Sequence, residues 1–109
     1  MIPIEELVAA TSALQRADLD CWIREELVMP QHEAGSLLFT DRDCARVRLL
    51  CTLHYELEID METLPVILSL VDQLYDTRQR LLSLGAAVAS QAPGIQAAIL
   101  AAMKPEDAA

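Results

Sequence analysis

Residues 37–60 read LLFTDRDCARVRLLCTLHYELEID, and this stretch determines how the chain is organised. The apolar run at residues 37–39 is typical of a strand that returns to a core. Thr40 follows it with an acid, Asp43, three positions later, which is close to the signature of a capping box. Apolar residues then recur at helical spacing toward Leu57. The stretch therefore predicts a strand followed by a capped helix, the third helix of the chain.

Two shorter helices are predicted on the N-terminal side of this stretch. Apolar residues lie at helical spacing over residues 4–10 and, after a polar turn, over residues 17–27. Pro30 ends the second helix because its ring cannot continue the helical hydrogen-bond ladder. The polar residues 31–36 then predict a small β-wing that leads back to the core. These segments follow a helix-turn-helix pattern with a wing.

A long helix is predicted on the C-terminal side. Asp60 is its expected N-cap, and the helix runs from about residue 61 to about residue 90, before Pro93 and a last short helix. Its apolar stripe comprises Leu64, Ile67, Leu68, Val71, Leu74, Tyr75, Leu81, Leu82 and Val88. Because such a long helix needs another surface to bury the far half of this stripe, we expect a homodimer through the long helix or an antiparallel partner helix.

The composition fits one all-α domain with a small β-wing. Apolar residues make up 53% of the 109 residues, and charged residues make up 23%. We expect residues 1–60 to form a winged helix-turn-helix. Residues 61–109 are expected to supply the long helix and the short C-terminal helix, packed as one domain with the first part.

The charge balance bears on the class of partner. Seventeen acidic residues against 8 basic ones give a formal net charge of −9. Nucleic-acid binding requires a basic surface, so the balance predicts no nucleic acid and favours a basic protein partner. The start of the chain does not resemble a secretory signal, and no stretch is apolar enough to predict a membrane span. Three cysteines without a CxxC pair suit a reducing compartment, so we expect a cytoplasmic protein.

Several segments resemble a known superfamily. IEELV at residues 4–8, WIREELVMP at 22–30 and LLFTDRD at 37–43 resemble the MerR-like winged-helix proteins. Within that superfamily the chain resembles most closely the chaperone modulator CbpM family, through FTDRDCAR at residues 39–46, LHYELEID at 53–60 and LPVILSLVDQL at 64–74. The resemblance implies a MerR-like winged helix-turn-helix followed by a long helix. It also implies binding to the J-domain of a DnaJ/CbpA-like cochaperone, which inhibits the cochaperone's stimulation of a DnaK-type chaperone.

The alternative function is that of a MerR-type DNA-binding transcriptional regulator. Such regulators carry arginines on the second helix and in the wing, whereas this second helix has mixed charge and this wing has no Lys or Arg. Each phosphate contact needs its own cation, so this surface predicts little affinity for DNA. The alternative requires that Arg42, Arg46 and Arg48 converge with Arg16 and Arg24.

Acidic residues at the junction of the third and fourth helices are the candidate partner-binding residues. The set is Glu56, Leu57, Glu58, Ile59, Asp60 and Glu62, together with Asp72 and Asp76 on the long helix. Leu57 and Ile59 are the expected apolar anchors among the acids. Asp72 and Asp76, four residues apart, repel each other, which favours an external cation. J-domains present a basic helix beside their His-Pro-Asp loop, and a carboxylate cluster would attract and hold it.

Metal binding and catalysis are less favoured. Cys44, Cys51 and His54 share one helical face and are soft-metal ligand types, but residues seven apart on a helix are about 10 Å apart, too far for one ion. We therefore interpret the cysteines as buried apolar residues and predict no metal and no cofactor. A metal or redox sensor built on Cys44 and Cys51 stays open as a third function and predicts stoichiometric zinc. The chain has no phosphate-binding Gly-rich loop and no Ser-centred elbow, so we predict no enzyme.

Overall fold

The computed structural model describes residues 1–103 of the chain. The protein is mostly helical, at 66% of residues, with a small three-stranded antiparallel sheet. In chain order the elements are β1 (Ile2–Pro3), α1 (Ile4–Ala10), α2 (Arg16–Arg24), β2 (Gln31–Glu33), β3 (Ser36–Phe39), α3 (Asp41–Cys51), a π-helical turn (Thr52–Glu56), α4 (Leu64–Ala89) and α5 (Pro93–Ala102). The chain divides into two compact units, Met1–Ser69 and Leu70–Ala109, the N-terminal unit and the C-terminal unit.

A β-hairpin forms where the small β-wing is predicted before the third helix. β2 pairs with β3 from Gln31↔Leu38 to Glu33↔Ser36. Ala34 and Gly35 form its two-residue loop with φ of 50° and 79°, and positive φ at both positions suits the twist of the paired strands. The sequence does not predict the third strand, β1, which pairs antiparallel with the other edge of β3. β1 has only two residues, too few for a periodic signal.

The second helix ends earlier than its apolar periodicity predicts. α2 stops at Arg24, and not at residue 27, because Glu26 adopts a left-handed φ of 61° and reverses the chain. The Leu27 N–H then donates to the Trp22 carbonyl, and the Glu26 N–H donates to the Ile23 carbonyl, which together form a Schellman closure. Leu27 is nevertheless buried. At Leu27 the apolar pattern therefore predicts burial correctly and helical conformation wrongly.

The capping box at the start of the third helix is confirmed. The Asp43 N–H donates to Thr40 Oγ1 at 3.1 Å, and the Thr40 N–H donates to the Asp43 carboxylate at 2.9 Å. The chain stays helical toward Leu57 as predicted, but its last part is not α-helical, because α3 ends at Cys51 and a π-helical turn, Thr52–Glu56, follows. In that turn the Leu57 N–H donates to the Thr52 carbonyl, five residues back, so the turn holds one extra residue.

The long helix begins later than predicted. α4 starts at Leu64, and Asp60 caps a turn that precedes it. The Asp60 carboxylate accepts hydrogen bonds from the Thr63 N–H at 2.8 Å and from the Thr63 hydroxyl at 2.6 Å. The Thr63 carbonyl in turn accepts from the N–H groups of Val66 and Ile67. The capping chemistry predicted at Asp60 is present, but it lies one turn before the helix itself.

The core of the N-terminal unit joins its helices to the sheet. The largest fully buried side chains are Trp22, Phe39, Leu19, Leu50, Leu64, Leu68, Val28 and Val47. Each such aliphatic or aromatic side chain stabilises the fold by about 1.5–3 kcal/mol relative to its exposed state. Arg46 adds a polar contact, because its Nε donates to the Leu27 carbonyl at 2.8 Å and fastens α3 to the segment after α2.

The C-terminal unit is described as far as residue 103 and contains the second part of α4 together with α5. No described residue from 70 to 103 is buried. Gln96 of α5 donates from its Nε2 to the carbonyls of Ala89 and Gln91, which fixes the connection between the two helices. α5 forms where the last short helix is predicted, with Pro93 in its first turn. Within residues 1–103, no helix combines the length and apolar character needed to cross a membrane.

Candidate functional site

An aromatic cluster supports the junction between α3 and α4. The ring of Trp22 lies 6.3 Å, between centroids, from the rings of both His54 and Tyr55, which are themselves 5.1 Å apart. The widened π-helical turn allows these two consecutive side chains to contact the same tryptophan. Trp22 is fully buried, and its Nε1 has no hydrogen-bond acceptor among the described residues. Packing therefore holds this ring in place.

Tyr55 connects the π-helical turn to the start of α2. Its hydroxyl donates to the Asp18 carboxylate at 2.5 Å and accepts from the Gln15 N–H at 3.0 Å. Burial and the hydrogen bond to Asp18 raise the pKa of Tyr55 to about 12. Sequence reasoning missed this contact, because the partners lie 37 and 40 residues away and no local spacing marks them.

The segment after the π-helical turn folds back onto it. Glu58 adopts a left-handed φ of 56°, which reverses the chain. The Ile59 N–H donates to the Leu53 carbonyl at 2.9 Å, and His54 Nδ1 donates to the Ile59 carbonyl at 2.7 Å. We call residues 56–62 the acidic loop. Two hydrogen bonds to the π-helical turn and the Asp60 cap fix its backbone.

The acidic loop presents its carboxylates to solvent. Glu56, Glu58, Asp60 and Glu62 are all exposed, and so is Leu57, at 61% of its surface. Ile59 is half-buried and packs against the core, so Leu57 is the exposed large apolar side chain of this loop. Hydrogen bonds from the Thr63 hydroxyl and N–H hold the pKa of Asp60 below its usual range. The loop therefore combines rigidity, negative charge and one exposed apolar contact.

Asp72 and Asp76 belong to the other unit. They lie four residues apart on α4, where Asp72 is half-buried and Asp76 is exposed. The predicted site residues therefore form two groups, the acidic loop in the N-terminal unit and this aspartate pair in the C-terminal unit.

The arginines on which the DNA-binding alternative depends are engaged elsewhere at two positions. Arg46 donates to the Leu27 carbonyl, and Arg16 forms an ion pair with Asp20 at 3.1 Å. The hairpin of β2 and β3 carries Glu33 and no Lys or Arg. Arg46 is therefore held by a backbone contact, whereas Arg16 stays exposed beside an acidic partner that offsets its charge.

The cysteines of α3 lie against the core. Cys51 is buried and Cys44 is half-buried beside the core cluster. Burial raises the pKa of both thiols, and the nearby Asp18 carboxylate raises that of Cys51 further. His54 uses Nδ1 to bond a backbone carbonyl. Within residues 1–103, no three His, Cys, Asp or Glu side chains are grouped to hold a metal ion.

A cleft of about 300 Å³ opens beside the aromatic cluster, between the turn after α1 and the π-helical turn. It is lined by Ala10, Thr11, Ser12, Ala13, Arg48, Cys51, Thr52, Tyr55 and Glu56. Sequence reasoning does not single out this cleft, because its two walls are distant along the chain. Glu56 belongs both to the cleft and to the acidic loop.

Comparison of the chain with protein-family models, with curated proteins and with solved structures finds no match in any of the three.

Proposed function

We propose that this protein is a chaperone modulator that binds the J-domain of a DnaJ/CbpA-like cochaperone and inhibits its stimulation of a DnaK-type chaperone. The proposal includes the assignment of residues 1–60 to a MerR-like winged helix-turn-helix. Two short helices, a β-hairpin, a third helix and a long helix follow one another along the chain, which is the order that this assignment requires. The resemblance to the CbpM family supplies the partner.

The observation that carries the proposal is the fixed acidic loop. Four exposed carboxylates and the exposed Leu57 lie within residues 56–62, on a backbone held by hydrogen bonds on both sides of Glu58. A surface fixed before binding loses less conformational entropy when a partner docks. Opposite charges speed the encounter with a basic helix and orient it. Leu57 contributes an apolar contact beside these charges.

The proposed mechanism is steric competition. The carboxylates of the acidic loop hold the basic helix of the J-domain, and the bound modulator then covers the surface that a DnaK-type chaperone needs. This mechanism requires stoichiometric binding and no chemical step. It also predicts that binding weakens as salt rises, because screening reduces attraction between exposed charges.

Charge reversal in the acidic loop tests the proposal. The triple variant Glu56→Lys, Glu58→Lys and Glu62→Lys turns three attractive contacts into repulsive ones. At about 1 kcal/mol for each exposed position, affinity for a CbpA-type J-domain falls by about 100-fold. The measurement is isothermal titration calorimetry at moderate salt, with inhibition of J-domain-stimulated ATP hydrolysis as a second readout.

A matched variant separates the site from the overall charge. Glu6→Lys, Glu25→Lys and Glu33→Lys change the net charge equally at exposed positions outside the acidic loop. We expect this control to keep its affinity within a few-fold of the wild type. Equal affinity of both triple variants and the wild type contradicts the placement of the site, and absence of J-domain binding by the wild type contradicts the function.

A further inference from the structure

The cleft between the turn after α1 and the π-helical turn has walls that hydrogen bonds hold in place. The Thr11 N–H donates to the Val8 carbonyl at 3.4 Å, and the Leu14 N–H donates to the Thr11 carbonyl at 3.1 Å, which fixes the turn after α1. The Gln15 N–H donates to the Tyr55 hydroxyl at 3.0 Å and ties the two walls together. A pocket of fixed shape loses little conformational entropy when a ligand fills it.

The helical wall of the cleft carries one cation and one anion. The lining residues of this wall are Arg48, Cys51, Thr52, Tyr55 and Glu56. Arg48 and Glu56 are the charged residues of the lining, and they lie eight residues apart. Because eight residues of helix rise by about 12 Å, the two charged residues lie toward opposite ends of this wall.

The polar side chains of the cleft are available to a ligand. Arg48 and Glu56 are exposed, and neither side chain forms an ion pair or a hydrogen bond within residues 1–103. The hydroxyl groups of Thr11, Ser12 and Thr52 likewise have no hydrogen-bond partner among the described residues. A ligand that binds these five side chains therefore breaks no existing side-chain contact of theirs.

These groups favour a small ligand that carries both charges. A simple anion would be repelled by Glu56 and a simple cation by Arg48, whereas a ligand with a carboxylate and an ammonium group pairs with both. The volume of about 300 Å³ is at the small end of ligand pockets, which suits a molecule of the size of an amino acid. Ala10, Ala13 and Cys51 add small apolar surfaces to the lining, which suit a methylene chain.

The separation of the two charges favours a basic amino acid. In such an amino acid a methylene chain separates the carboxylate from the side-chain cation, so one molecule spans more of the wall than an amino acid whose charges adjoin. The formal net charge of −9 also attracts a ligand with a net positive charge.

We propose that this cleft binds a free α-amino acid with a basic side chain. Its carboxylate pairs with Arg48, its side-chain cation pairs with Glu56, and its α-ammonium group donates to the hydroxyl groups of the cleft. The proposal goes beyond the function proposed above and does not depend on it.

Three matched ligands test the proposal in a nuclear magnetic resonance titration of the isotopically labelled full chain. Lysine carries every group that the cleft is expected to bind, norleucine lacks the side-chain ammonium group, and cadaverine lacks the carboxylate. We expect lysine to bind saturably with a Kd below about 1 mM and to shift the amide signals of residues 10–13 and 48–56. Norleucine and cadaverine should each bind at least about tenfold more weakly, because each loses one charge-assisted contact.

Substitutions in the cleft should remove the same preferences. Arg48→Gln should bind lysine no better than the wild type binds cadaverine, and Glu56→Gln should bind lysine no better than the wild type binds norleucine. Ala13→Phe places a ring in the cleft and should abolish lysine binding. Ala17→Phe is its matched control, since Ala17 is an exposed residue of α2 outside the lining. All four positions are exposed, and Trp22 fluorescence during urea unfolding verifies that each variant is folded.

Three results would overturn the proposal. The first is a wild-type chain in which lysine at about 10 mM, roughly ten times the expected Kd, produces no saturable shifts at residues 10–13 and 48–56. The second is equal affinity for lysine, norleucine and cadaverine. The third is lysine binding that stays unchanged in folded Arg48→Gln and Glu56→Gln.

Discussion

Replacing Tyr55 with phenylalanine removes one oxygen atom and two long-range hydrogen bonds. The hydroxyl donates to the Asp18 carboxylate and accepts from the Gln15 N–H. A hydrogen bond to a charged group contributes about 1.5–3 kcal/mol, and a neutral one contributes about 1 kcal/mol. Because Gln15 is exposed and Asp18 only half-buried, water replaces part of what is lost. We expect Tyr55→Phe to lower the free energy of unfolding by about 2 kcal/mol and Tm by about 10 °C.

The effect of this substitution depends on pH in a defined direction. The pKa of Tyr55 rises from 10.0 to about 12 in the folded protein, so folding favours the protonated phenol. The contribution to stability is complete below pH 10 and is lost as pH rises from about 10 toward about 12. Burial is the largest cause of this shift and the hydrogen bond to Asp18 is the second, so Tyr55→Phe removes only part of what the shift reflects. The stabilities of the wild type and of Tyr55→Phe should therefore converge at the alkaline end.

Urea unfolding followed by the fluorescence of Trp22, the single tryptophan, measures the difference at pH 7 and at steps up to pH 12. The chain has two tyrosines, so phenolate absorbance in a Tyr75→Phe background reports the titration of Tyr55 alone. The reasoning is refuted if Tyr55→Phe unfolds within about 0.5 kcal/mol of the wild type at pH 7 and Tyr55 titrates near 10, its ordinary value.

Two further predictions concern backbone conformation and capping. Glu26→Gly should raise the free energy of unfolding by about 0.5–1 kcal/mol. Glycine adopts the left-handed φ of 61° without the strain that a side chain brings, and this gain exceeds the cost of the greater entropy of the unfolded chain. Its neighbour Glu25 has a φ of −85°, so Glu25→Gly is a control expected to destabilise in the same urea titration. Thr40→Ala should lower the free energy of unfolding by about 1 kcal/mol, because the Asp43 N–H loses its acceptor. Thr40→Ser keeps a hydroxyl acceptor and should retain most of the stability. Equal stability of the two variants would contradict the role of Thr40 as the cap.

Features of the fold that depend on residues close together in the chain can be predicted from the sequence. Thr40 and Asp43 satisfy each other's backbone groups within one turn, so their spacing is sufficient to predict the start of α3. Gly35 occupies a positive φ in the hairpin loop, and Pro93 lies in the first turn of α5, as their local conformational preferences predict.

Features that depend on contacts between distant residues cannot be predicted from the sequence in this way. β1 exists only because β3 offers its free edge, and the end of α2 depends on a glutamate in the left-handed region where glycine is usual. The π-helical turn brings His54 and Tyr55 onto Trp22, while the apolar spacing of the sequence is equally compatible with a continued α-helix.

The candidate site can likewise be predicted from the sequence only in part. The exposure of Glu56, Glu58 and Glu62 is expected from residue type alone, since glutamate is seldom buried. The fixed shape of the acidic loop depends on contacts made by His54 and Leu53 with Ile59, which no local pattern encodes. Within the loop Ile59 packs against the core, whereas Leu57 is exposed.

The proposed function is best tested by titrating the 109-residue chain against the J-domain of a CbpA-type cochaperone, with random duplex DNA measured at the same moderate salt. A chaperone modulator binds the J-domain with micromolar or tighter affinity that added salt weakens, and it does not bind DNA. Binding of DNA without binding of the J-domain would contradict the proposed function, and it would mean that the chain acts as a DNA-binding regulator despite its acidic composition.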